Sequence, residues 1–106
     1  MPNEKNNLKQ LVAALEDIHA KDILAINVQD QTSVTDYMVI CTGRSSRHVR
    51  SIAEHIAEKM KAINMPPLSK NGLDSGEWAL IDFGYFIVHI MQADTRLFYN
   101  IEGLWQ

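Results

Sequence analysis

Apolar positions along the chain fall into two helical stripes and several strand-like runs. Between Glu4 and His19, the residues Leu8, Leu11, Val12, Leu15 and Ile18 recur three and four apart, with Lys9, Glu16 and Asp17 off the stripe. That spacing predicts an amphipathic helix. "DILAINVQD" follows as a first strand, mostly apolar until Asn27 and Gln29, and "QDQTSVTD" is a loop by composition. "YMVICT" is almost continuously apolar, the pattern of a strand covered on both faces.

Gly43 ends that strand, and Ser45 or Ser46 is placed to cap a long helix. The helix turns Val49, Ile52, Ala53, Ile56, Ala57, Met60 and Ile63 inward and Arg47, Arg50, Glu54, Glu58 and Lys61 outward. Asn64 and the Pro66-Pro67 pair stop it. "LSKNGLDSGE" is a turn-rich connection with room for a short strand near Leu68. "GEWALIDFGYFIVHIM" reads as two strands meeting at Gly84, and a short helix starts near Asp94 or Thr95. The order predicts an α/β fold, one domain over residues 1–106 with a mixed central sheet and flanking helices. A chain of 106 residues is long enough for one core and too short for two.

The hairpin carries the most specific chemistry. With Gly84-Tyr85 as its two-residue loop, glycine occupies the position a type II′ turn requires. Residue 82 then pairs with 87, 81 with 88, 80 with 89 and 78 with 91, and alternation sorts the side chains onto two faces. Ala79, Ile81, Phe83, Phe86, Val88 and Ile90 make a wholly apolar face that belongs under helices. Trp78, Leu80, Asp82, Ile87, His89 and Met91 make a second face, mostly apolar with one acid and one imidazole. Two readings of that second face are open. It is a surface buried only when a partner arrives, with Trp78 as its hot spot, or it is covered by the chain's own termini, with Asp82 and His89 as satisfied polar groups. Asp82 and His89 lie diagonally across the strands, within reach of each other, but no serine, cysteine or lysine joins them there. Catalysis therefore lacks a nucleophile or a metal on this face.

Composition narrows the classes further. Hydrophobic residues make up 46% and charged ones 22%, and the net charge is −3, which argues against a free nucleic-acid strand as main partner and leaves DNA out. The one cysteine, Cys41, sits inside the apolar run and reads as a buried, reduced core residue. The N-terminal "MPNEKNNLKQ" has no apolar signal core and is not an arginine-rich transit segment, and no run approaches membrane-spanning length. The expected location is the cytoplasm. His19, His48 and His55 form no pair at metal-ligand spacing on one helical face, so neither metal nor cofactor is expected.

A second candidate is "TGRSSRHVR", where Arg44, Ser45 and Arg47 offer an anion or RNA contact at a helix start, with Arg50 one turn on; the alternative function this gives is a nucleotide- or RNA-binding module using the turn and helix start from Gly43 to Arg50. Its alternative is a capped helix with a solvated arginine face. In the C-terminal "RLFYNIEGLW", Leu97, Ile101, Leu104 and Trp105 are expected to close against the sheet, with Tyr99 at the rim.

Taken together, these stretches resemble the bacterial ribosomal silencing factor, or Iojap-like, family. Thr42-Gly43-x-Ser45-x-Arg47, then Trp78-x-x-x-Asp82-x-Gly84 followed by Val88-His89, then Arg96-x-x-Tyr99-x-x-Glu102-x-Leu104-Trp105 occur in order from about Leu8 to Trp105. The resemblance implies a nucleotidyltransferase-like fold without the catalytic carboxylates, because Leu80 stands where a first acid would precede Asp82. It implies a translational repressor, not an enzyme, that binds the large ribosomal subunit through its inter-subunit-face protein, number fourteen of the large-subunit series. Joining of the small subunit would thereby be blocked. The implied contact residues are Trp78, Leu80, Asp82 and Phe83, joined by Tyr85 and His89 on the same hairpin. An apolar hairpin face needs protection when no partner is bound, and a homodimer of the free protein would supply it. Asn71 and Tyr85 replace acids usual in the family, which removes negative charge near the docking face.

Overall fold

The computed structural model describes residues 4–105, so Met1–Asn3 and Gln106 of the expected domain lie outside the described residues. Helix α1 (Glu4–Asp17) leads into β1 (Lys21–Asn27) and β2 (Tyr37–Gly43), then helix α2 (Ser46–Ala62). Strands β3 (Ser69–Asn71), β4 (Trp78–Asp82) and β5 (Phe86–Gln92) follow, with a short helix α3 (Ala93–Tyr99) and a 3₁₀ turn at Ile101–Leu104. The five strands form one mixed sheet in the order β1-β2-β5-β4-β3. Only the central pair, β2 with β5, is parallel. That pairing requires the long crossover that α2 supplies.

Both long helices end in the same way. The N–H of His19 bonds to the Glu16 carbonyl and that of Ala20 to Leu15; the N–H of Asn64 bonds to Lys61 and that of Met65 to Met60. His19 and Asn64 hold left-handed φ values of 60° and 65°. This double bond pattern with an αL residue satisfies carbonyls that would otherwise be orphaned. Ser45 caps the start of α2, accepting the His48 N–H on its hydroxyl at 3.1 Å.

Leu11 and Leu15 of α1 and Val49, Ile52, Ile56 and Met60 of α2 pack on the first hairpin face, against Ala79, Ile81, Phe83, Phe86, Val88 and Ile90. The hairpin register is the one its glycine turn predicts: Trp78 opposite Met91, Leu80 opposite His89, Asp82 opposite Ile87. The opposite side of the sheet is covered only in part, by Ile101 beside Ile40 and Met91, and by Trp105 beside Met38 and Ile87.

The C-terminal segment departs from expectation. Ile101 is buried and Trp105 half-buried, but Leu97 is 82% and Leu104 74% exposed. A short α3 crosses the sheet margin, and none of its side chains is buried. Among the described residues, no helix is long and apolar enough to cross a membrane.

Candidate docking surface

Strand β4 alternates half-buried and buried residues, so Trp78, Leu80 and Asp82 share the incompletely covered side while Ala79 and Ile81 enter the core. The Trp78 indole donates its Nε1–H to Nδ1 of His89 at 3.0 Å. The Tyr99 ring lies 5.0 Å from Trp78, tilted by 49°. The indole therefore meets both a buried imidazole and an exposed phenol. His89 itself is only 7% exposed, and burial pushes its pKa down to about 4. It stays neutral at physiological pH, with the proton on Nε2 so that Nδ1 can accept.

Asp82 is committed differently. Its Oδ1 accepts the Gly84 N–H at 2.8 Å, closing an Asx turn that shapes the hairpin loop. Gly84 has φ of 90°, which a side-chain-bearing residue adopts with strain. The loop is further tied to the segment before β2, because the Thr35 hydroxyl donates to the Gly84 carbonyl at 3.0 Å and Tyr85's carbonyl accepts the N–H groups of Asp36 and Tyr37. Thr35 is buried, a role that the polar composition of its loop concealed.

The residues expected at the surface are thus separated by the fold. Trp78, Leu80 and Asp82 share one strand face, with Tyr85 exposed at the hairpin tip. Phe83 is 5% exposed and packs in the helix-covered core, so its side chain does not reach a partner and its part is structural. His89 is buried and bonded to Trp78 rather than presented at the surface. Asp82 and His89 do not form the diagonal pair that alternation allowed, since each is turned to a different neighbour.

The arginine-flanked turn is a capped helix start. Ser45's hydroxyl serves as the cap, while Arg44 and Arg47 are exposed. Arg50 leans back on the chain, its NH1 making long contacts to the Leu73 and Asp74 carbonyls at 3.5 and 3.4 Å. His48 is a tie between elements: its Nδ1 accepts from the Arg44 N–H at 2.9 Å and its Nε2 lies 2.8 Å from the Ile18 carbonyl.

Register also separates the two halves of any nucleotidyl-transfer site. Gly43 pairs with Gln92, whereas Asp82 pairs with Ile87. They stand five positions apart along β5, about 16 Å at the rise of a strand. Among the described residues no three His, Cys, Asp or Glu side chains are placed to hold a metal ion.

The fold and this face define an α/β domain whose polar groups orient a preformed, largely apolar strand surface. Comparison with known proteins gives the family. The family model described as "Ribosomal silencing factor during starvation" matches residues 2–106, and the chain belongs to that family. It is 37% identical over 103 residues to the ribosomal silencing factor RsfS of Bacillus subtilis, covering 97% of this chain and 87% of that one. The crystal structure of a Chromobacterium violaceum protein superposes with a TM-score of 0.93 at 37% identity, covering 95% of this chain and 84% of that one. A mouse protein named "Mitochondrial assembly of ribosomal large subunit protein 1" is 33% identical over 104 residues, 95% of this chain and 46% of its own length. These bacterial relatives are named silencing factors rather than enzymes.

Proposed function

We propose that the protein is a translational repressor that docks on the large ribosomal subunit through the inter-subunit-face protein, number fourteen of the large-subunit series. Occupying that face blocks joining of the small subunit when nutrients are scarce. The observation that carries the proposal is the placement of Trp78: half-buried, hydrogen-bonded to His89 and in ring contact with Tyr99. An aromatic anchor fixed before binding offers large contact area and loses little rotamer freedom on docking. Family membership supplies the ribosome as the target, and the mouse relative's name supports the large subunit. Asp82, half-buried on the same face, is the acid that would meet a basic residue of the partner. The protein acts in the cytoplasm and without chemistry of its own, and a free homodimer protecting the apolar surface would compete with the ribosome.

Co-sedimentation with purified large and small subunits tests this. The wild type should pellet with large subunits alone, and Trp78→Ala, shown to be folded by its thermal transition, should bind about tenfold or more weakly. Wild type that stays in the supernatant with large subunits would overturn the proposal.

A further inference from the structure

Helix α3 contributes no buried side chain to the core, yet it is firmly fixed. Arg96 donates from Nε to a Glu102 carboxylate oxygen at 2.8 Å, and from NH1 to the Asp22 carbonyl at 2.8 Å and the Thr42 hydroxyl at 2.9 Å. The guanidinium and its carboxylate partner are about 15% exposed. What this clamp presents outward is apolar: Leu97 is 82% and Phe98 80% exposed. Phe98 meets Tyr99 edge-on at 5.0 Å, and Tyr99 meets Trp78 at 5.0 Å. The exposed end of α3 is therefore continuous with the face that carries Trp78.

We propose that α3 supplies the second half of the docking surface, with Leu97 and Phe98 seated in an apolar depression of the same ribosomal protein that receives Trp78. This inference rests on the docking role proposed above. Its argument is one of area. On the outer hairpin face Ile87, His89 and Met91 are already buried, which leaves Trp78, Leu80 and Asp82, each half-buried, and Tyr85 exposed at the hairpin tip. A stable interface takes about 800 Å² and some 20 residues from each partner, far more than these few side chains supply. The adjoining apolar area lies on α3, held at a fixed angle to Trp78 by the Arg96 clamp.

The test is a binding titration against purified large subunits with the double variant Leu97→Ala/Phe98→Ala, beside wild type and Trp78→Ala. Both truncated side chains are exposed, so the thermal transition and the sedimentation coefficient should match wild type. Affinity for the large subunit should fall about tenfold or more. If the double variant binds like wild type while Trp78→Ala is weakened, the role of α3 is refuted and the docking role stands. If wild type itself does not bind, both fall. A double variant that loses self-association while keeping subunit affinity would assign α3 to a second copy of the chain and overturn the inference.

Discussion

At the scale of single residues, the face that carries Trp78 depends on a histidine that stays neutral at neutral pH. Burial lowers the His89 pKa from 6.5 to about 4, so the folded protein resists a proton that the unfolded chain accepts readily. The resulting stabilisation is complete above pH 6.5 and is lost as pH falls through the window between 6.5 and 4, roughly 3 kcal/mol at most across it. Protonation also places a hydrogen on Nδ1 and ends acceptance from the Trp78 indole. Urea denaturation at pH 7, 5.5 and 4.5, followed by indole fluorescence, should show stability falling with pH. In His89→Asn, which keeps an acceptor but cannot titrate, that fall should be shallower. An equal fall in the variant would assign the effect to carboxylates elsewhere. The sequence placed Trp78 and His89 on one face by alternation alone. It could not reveal that His89 turns to the indole rather than to Asp82, because both diagonals are open to an imidazole on an antiparallel pair.

At the scale of elements, periodicity located α2 and the hairpin closely, since each buries a continuous apolar face. Periodicity failed for the C-terminal segment for a physical reason: spacing tells which residues share a helix face, not whether anything lies opposite to pack on it. Leu97 and Leu104 looked like core residues and are solvent-facing. The group that does fix α3 is Arg96, and its Asp22 and Thr42 partners lie 74 and 54 residues away, beyond any local pattern. Arg96→Ala removes these bonds and strands the Glu102 carboxylate at a site 16% exposed. The expected cost is about 2–4 kcal/mol, together with faster hydrogen exchange across residues 93–104. Arg96→Lys should recover little, because an ammonium cannot span three acceptors with a planar fork. The connection before β4 is equally constrained: a Cβ on Gly72, at φ of 81°, would fall 2.0 Å from the Trp78 carbonyl oxygen. Gly72→Ala should therefore cost more than about 1 kcal/mol through backbone strain, and loosen the pairing of β3 with β4.

At the scale of the whole molecule, the order of elements gave a mixed sheet, but the strand order β1-β2-β5-β4-β3 depends on which side of β2 the crossover returns to, a property of three-dimensional packing. That order puts β2 and β5 at the centre, between the α1–α2 layer and the C-terminal cover, with Cys41 paired opposite Ile90. The thiol is fully buried, and desolvation raises its pKa to about 12 despite the opposing charge of Arg96. Reaction with a thiol reagent needs both access and the thiolate, so in the native state it should be negligible. Cys41 packs in the core between the sheet and the α1–α2 layer, so its exposure requires that layer to leave the sheet. With reclosing faster than labelling and the rate first order in reagent at pH 8, the opening free energy from Cys41 labelling should therefore equal the global unfolding free energy from urea. Arg96→Ala should lower both by the same amount. Labelling that runs ahead of global unfolding would mean that the helix layer lifts from an intact sheet, and the protein would then not be a single cooperative unit.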